Sequence, residues 1–143
     1  MNRYICYHPY VLREISALNA AQLTVTSQPT ERGALIEAVG EVDLTTVLQL
    51  REPVLAAVNS LEKNPVIVDL SRVDFIDSAG LALLVEARKR LAPDARPLHI
   101  LLTPGRQPER VLRLGRFDTI MNLSYTLEDI QGTDGQPKEQ AKS

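Results

Sequence analysis

Apolar and polar positions change their period several times along the chain, and each change marks a predicted element. Leu23–Ser27 alternates apolar and polar residues, as an outer strand does. Gln28–Gly33 reads as a turn, and Ala34–Val42 as a second strand joined to the first by a short hairpin. Asp43 or Thr45 then caps a helix that reaches about Leu61, with Val47, Leu48, Leu50, Val54, Leu55 and Val58 as its apolar positions. Asn64-Pro65 punctuates. Val66, Ile67, Val68 and Leu70 form a short, mostly β-branched run, the signature of a strand covered on both faces. A tight turn over Asp74–Gly80 leads into a helix starting at Ser78, whose hydroxyl is suited to accept a first-turn N–H. Leu81, Leu84, Val85 and Leu91 recur there at helical spacing. Arg88, Lys89 and Arg90 complement the dipole in the last turn, and Pro93 stops the helix. Leu98–Thr103 is another apolar strand, closed by Pro104-Gly105. Pro108–Leu114 is a short helix with Val111, Leu112 and Leu114 inward and Gly115 as its stop. Ile120–Leu123 holds a last short strand, and Ser124–Ile130 a final helical turn or two.

This order predicts an α/β domain that opens on a hairpin and continues through right-handed crossovers, which make the later strands parallel. Successive crossovers of one hand leave the helices mainly on one face of a four- to five-stranded mixed sheet. Residues 1–21 read as an N-terminal extension, partly helical through Leu12, Ile15 and Leu18. Residues 22–130 form the domain, and residues 131–143 a flexible polar tail.

Composition narrows the classes. The 143 residues suffice for one ordinary core, and 44% hydrophobic with 24% charged residues is a globular balance. A formal net charge of −2 makes no electrostatic case for nucleic acid. No apolar run is long enough to span a bilayer, and the first residues lack the apolar core of a secretory signal. Cys6 is the only cysteine, so an internal disulfide and a cysteine metal cluster are excluded and a cytoplasmic setting follows as the default.

Candidate chemistry is concentrated in three residues. Asp43 ends one predicted strand, and Asp77 and Ser78 follow another. Loops after neighbouring strands meet at the carboxyl edge of such a sheet, which is where α/β proteins place their sites. Two readings are compatible with the pattern. Asp43 and Ser78 are helix caps and Asp77 a turn residue, or the three make one shallow functional surface. Arg106, Arg110, Arg113 and Arg116 form a basic stripe, read as a solvated face or as contacts to an acidic partner. His8, His99 and Cys6 have no evident catalytic setting, and Tyr4, Tyr7 and Tyr10 read as cover for an apolar patch.

GEVDLTT (Gly40–Thr46), followed by VIVDLSRVDFIDSAGLALLVEARKRL (Val66–Leu91), resembles the STAS domain of bacterial anti-anti-sigma factors, also called anti-sigma factor antagonists. The resemblance spans roughly Leu23–Ile130 and includes a glycine before an aromatic in LRLGRF (Leu112–Phe117). It implies a STAS-type mixed sheet with helices mainly on one side. It also implies a non-enzymatic partner switch. The unmodified protein binds an anti-sigma factor that is also a serine kinase, so that a sigma factor is released. Phosphorylation of the serine after the aspartate ends the binding, and a phosphatase restores it. Carried over by position, the phospho-acceptor is Ser78. The partner-binding set is Asp43, Asp77, Ser78, Ala79 and Gly80, with Ala79 standing where a second hydroxyl is common. No cofactor, metal, nucleic acid or membrane is expected, and the chain is expected as a monomer or weak dimer. The alternative is a STAS interaction module without a phospho-switch, docking a protein or binding a small nucleotide or lipid. A serine hydrolase is disfavoured, because Asp-Ser-Ala-Gly does not match the G-x-S-x-G elbow and no histidine lies in an obvious active-site loop.

Overall fold

The computed structural model describes residues 23–130; the N-terminal extension, with Cys6, His8 and the early tyrosines, and the polar tail lie outside the described residues. The elements run β1 (Leu23–Thr30), β2 (Gly33–Val42), α1 (Val47–Val58), β3 (Val66–Ile76), α2 (Ser78–Leu91), β4 (Leu98–Leu101), α3 (Gln107–Leu114) and β5 (Asn122–Ser124). Short 3-10 turns occupy Ala92–Asp94, Phe117–Thr119 and Leu127–Asp129. The strands form one five-stranded mixed sheet in the order β1-β2-β3-β4-β5. The β1–β2 pair is antiparallel and the other three pairs are parallel.

Strand parity explains the layers. Leu23, Ile36, Ala38, Val66, Val68, Leu70, Leu98 and Ile100 share one cluster with Leu50 and Val54 of α1, Leu83, Leu84 and Ala87 of α2, and Leu112 of α3. The helices therefore cover one face. Leu35, Ile67 and Leu101 point the other way and are covered by Leu127 and Ile130.

Several boundaries differ from the pattern-based expectation. The hairpin turn is only Glu31-Arg32, because the polar alternation continues to Thr30 and pairs fully with β2. β3 continues through the segment expected as a turn and ends at Ile76, although β4 accompanies it only from Val66 to Asp69. Side chains from the β4–α3 loop and the first residue of α3 take the place of the missing ladder. Thr103 Oγ1 donates to the Ser71 carbonyl at 2.7 Å. The Gln107 amide accepts from Ile76 N at 2.9 Å and donates to Ile76 O at 3.0 Å. Arg106 pairs with Asp74 beside them. α1 ends at Val58, short of Leu61, and its inward stripe is Leu50, Val54 and Val58; Leu48 is 68% exposed. In α2 the fully buried positions are Gly80, Leu83, Leu84, Ala87 and Leu91, so Leu81 and Val85 sit on its flank. In α3 Leu112 is inward and Leu114 is not. The last strand is shifted to Asn122–Ser124, and the last helical element is a single 3-10 turn.

Candidate functional site

β2 and β3 end side by side, and the loops that follow carry Asp43 and Asp77. The Asp77 backbone N–H donates to the Val42 carbonyl at 3.0 Å, which extends the β2–β3 ladder by one bond. That bond holds Asp77 extended (φ −108°, ψ −170°), the conformation of an N-cap. Its Oδ1 accepts from Ala79 N at 2.9 Å and Gly80 N at 3.3 Å. Its Oδ2 accepts from Leu44 N at 3.2 Å, so one carboxylate caps α2 and ties down the β2–α1 loop. The cap is thus Asp77 and not Ser78, which is the first helical residue. Ser78 is exposed, and its hydroxyl is relieved of the capping task.

Asp43 organises the neighbouring loop in the same manner. Its Oδ1 accepts from Thr45 N (3.0 Å), Thr45 Oγ1 (2.8 Å) and Thr46 N (3.1 Å). These bonds, the Thr45 hydroxyl first, hold its carboxyl below the ordinary value against the opposing effect of desolvation. The helical N-cap itself is Thr46, whose side chain makes no capping bond. The buried Thr46 hydroxyl instead accepts from Asp43 N and donates to the Glu41 carbonyl, both at 2.9 Å. Neither Asp43 nor Thr45 is therefore the cap of α1; they close the turn that precedes it.

Gly80 is buried where α2 crosses the end of the sheet. A Cβ there would stand 2.5 Å from Ile76 Cγ1 and 2.8 Å from Val42 Cγ1. The glycine lets the helix sit directly on the two strand ends, and that contact sets the height of Ser78 above the sheet. Of the five residues singled out by motif, Asp43, Asp77 and Ser78 come together at one edge, with Ala79 half-buried beside them and Gly80 beneath.

The surroundings are apolar and open. Leu44 is 78% exposed, Leu48 68% and Phe75 41%, an unusual set for one edge of a small domain. Ser78 also lies at one end of a shallow groove of about 520 Å³ along α2, lined by Leu81, Ala82, Val85 and Phe117. Glu86 and Arg90 line the far end of the groove. There Arg51 grips Glu86 through two bonds of 2.6 and 2.9 Å, and Arg90 joins the pair. The arginine stripe has internal work: Arg106 pairs with Asp74, Arg110 donates to Gly105 O, and Arg113 contacts Glu109 and Tyr125. His99 lies within β4, far in sequence from this loop pair. Among the described residues, no group of three or more His, Cys, Asp or Glu could hold a metal ion, and no helix is long and apolar enough to cross a membrane.

Thr46, Gln107, Leu44 and Leu48 were not legible as parts of this edge. The leucines pass for core residues by type, and Gln107 reaches Ile76 only through the tertiary fold.

A five-stranded mixed sheet with three helices on one face, and with its ordered loops at the carboxyl edge, defines an α/β domain built to present a surface. Residues 22–130 match the family model of the STAS domain, and the chain belongs to that family. Solved structures agree on the fold. An anti-sigma factor antagonist from Mycobacterium paratuberculosis superposes with a TM-score of 0.68 at 23% identity, over 76% of this chain and 90% of that one. A STAS domain protein from Planctomyces limnophilus gives 0.63 at 21%, over 73% and 92%. The anti-sigma factor antagonist SpoIIAA in its unphosphorylated form gives 0.58 at 21%, over 74% and 92%. The Bacillus cell fate determinant SpoIIAA has also been solved in a phosphorylated form, which matches with a TM-score of 0.57.

Proposed function

We propose that this protein is an anti-anti-sigma factor, a cytoplasmic bacterial switch whose unmodified form binds an anti-sigma factor serine kinase and so releases a sigma factor. The observation that carries the reading is Ser78: an exposed hydroxyl at the first position of α2, with its capping role taken by Asp77. Leu44, Leu48 and Phe75 around it supply the apolar contact area that a protein partner needs. Asp43 and Asp77 orient the two loops.

In the switching step, Ser78 Oγ attacks the γ-phosphorus of the kinase's ATP. A P–O bond forms to Oγ, the bond to the β,γ-bridging oxygen breaks, ADP leaves, and the hydroxyl proton passes to a base on the kinase. The phosphate adds roughly −1.5 to −2 charges. The N-terminus of α2 tolerates that charge within the free domain, so the fold is retained. In the complex the same charge is set beside Asp43 and Asp77 within an interface, where removing it from water is costly. A loss of about 3 kcal/mol is roughly a hundredfold in affinity. No large rearrangement is required, and a phosphatase returns Ser78 to its binding form.

The test uses the cognate kinase with ATP, followed by peptide mass spectrometry and binding titration. The expected outcome is one phosphate on Ser78, none in Ser78→Ala, and roughly hundredfold weaker binding by Ser78→Asp. Phosphate elsewhere, or equal binding by Ser78→Asp, overturns the reading.

A further inference from the structure

β1 is one edge of the sheet, and among the described residues no element pairs with its outer side. The hairpin decides which backbone groups face outward. With Glu31-Arg32 as a two-residue turn, Thr30 and Gly33 form a hydrogen-bonded pair, and so do the alternate pairs Gln28/Leu35, Thr26/Glu37 and Thr24/Val39. Leu23, Val25 and Ser27 therefore turn both N–H and C=O outward, and Pro29 its C=O. Sheets blunt a free edge of this kind with lysines, bulges, short strands or an early proline. β1 uses none of these before Pro29. Its sequence LTVTSQPT has no charged residue, and its register with β2 runs without a shift from Leu23 to Thr30. The opposite edge, β5, is only 3 residues long.

We propose that β1 is a dimer seam on which a second copy of this chain pairs antiparallel about a twofold axis at Val25. In that register Val25 faces its own counterpart and Leu23 faces Ser27, all residues with outward N–H and C=O, so the seam makes about six hydrogen bonds. Between them Thr24 faces Thr26 on the side away from the helices, a favourable cross-strand pair. On the helix side the Val25 side chains extend the cluster they already touch. Charge selects the occupant. The strand is self-complementary because no like charges meet when it faces itself, whereas it offers nothing to recognise a charged peptide. Leu23 pairs with Gly40, close to the Asp43–Asp77 edge, so the twofold sets the two Ser78 surfaces at opposite ends of the seam. Both remain open, so the unmodified assembly is bivalent toward its partner, while the seam itself forms whether or not Ser78 is modified.

Sedimentation velocity of the full chain over a concentration series tests the seam. The expected result is a reversible monomer–dimer equilibrium. Ser27→Pro removes one outward N–H and no inward one, a position where an edge strand accommodates proline. Thr24→Lys/Thr26→Lys places lysines against one another across the seam. Each variant is expected to weaken dimerisation at least tenfold while keeping the wild-type melting transition at concentrations where both chains are monomeric, and Ser78→Asp is expected to leave dimerisation unchanged. A chain that stays monomeric throughout the series, or a dimer that survives both edge variants, overturns the proposal.

Discussion

The two ends of the sheet are made of the same crossover units and use their polar groups in opposite ways. At the amino end the connections are stitched to one another. Ala34 N donates to Pro65 O at 3.0 Å and Val66 N to Pro97 O at 3.1 Å, and Gly33, at φ +137°, packs against Pro65. Buried Arg96 donates to the carbonyls of Asn64 (2.8 Å), Val58 (2.7 Å) and Ala57 (3.1 Å), so a guanidinium closes the C-terminus of α1. At the carboxyl end the backbone is held just as firmly, by Asp43, Asp77 and Gln107, yet Ser78, Leu44, Leu48 and Phe75 are left facing solvent. The contrast teaches that order and presentation are separable. One end is rigid and closed, the other rigid and open.

The largest effect is expected from the closed end. Arg96→Ala leaves three helix-end and loop carbonyls without their donor and empties buried volume, a loss of about 3 kcal/mol. Urea unfolding measures it. The carboxyl edge lies at the other end of the strands, so phosphorylation of Ser78 in the residual folded protein is expected to be unchanged. A parallel loss of phosphorylation would show that the ends are coupled and break the comparison.

Gly80→Ala is next. The added methyl meets Ile76 and Val42 at less than van der Waals distance, and overpacking of that kind costs about 1–3 kcal/mol, of which alanine's better helix propensity returns up to about 1 kcal/mol. Unlike Arg96→Ala, it lifts the helix that carries Ser78. Both stability and phosphorylation rate are expected to fall. A destabilised variant with an unchanged rate would show that the height of α2 does not matter to the proposed phosphorylation.

How much of this was readable beforehand follows from the same contrast. The core of β3, Val66–Leu70, and the inward residue of α3, Leu112, are legible because burial on both faces, or on one helical stripe, leaves a composition trace. The Asp43, Asp77 and Ser78 trio was legible from residue type and motif. The sequence alone does not place the cap, because aspartate and serine are equally good caps in adjacent positions. The bond from Asp77 N to Val42 O decides between them, and it belongs to the sheet rather than to the helix. Ser71–Ile76 did not read as strand because it pairs with β2 on one side only, and on the other the place of β4 is taken by the side chains of Thr103 and Gln107, about thirty residues away. Leu48 and Val85 read as core, since an apolar residue on the surface has the same letter as one in the packing, whereas Leu81 does pack partly buried against the core.

Asp77→Ala removes a helix cap and the anchor of Leu44 N together. Loss of a cap costs about 0.5–2 kcal/mol, seen as a lower urea midpoint with an unchanged slope. Asp77→Asn keeps an oxygen at the cap and is expected to recover most of that stability. If the loop tie matters to presentation, amide exchange at Leu44 quickens in Asp77→Ala and stays slow in Asp77→Asn.

A smaller, pH-dependent effect comes from the third corner of the open edge. The Tyr125 hydroxyl, Gly105 N and Arg113 hold the Glu109 carboxyl at about 2, against an ordinary 4.5. A carboxyl depressed in the folded state stabilises above its unfolded value and loses that contribution as pH falls toward the folded one. Stability is therefore expected to decline between about 4.5 and 2, and Glu109→Gln to flatten that limb of the acid-unfolding curve relative to wild type. An unchanged limb in Glu109→Gln would place the acid sensitivity elsewhere.

Ser78→Ala should barely move stability, and that is what makes it the sharpest probe of an open edge. The hydroxyl caps nothing, because Asp77 Oδ1 already serves the first-turn N–H groups of Ala79 and Gly80. The side chain is exposed, so truncation leaves no cavity. A surface change of this sort stays within about 0.5 kcal/mol. Were Ser78 the structural cap that its sequence position suggests, the same substitution would cost about 1 kcal/mol. Urea titrations of Ser78→Ala and Asp77→Ala side by side separate the two cases. A near-zero shift for the serine beside a clear loss for the aspartate identifies a hydroxyl that the fold holds in place without using. Equal losses would mean that the two residues share the cap, and that the open end is closed after all.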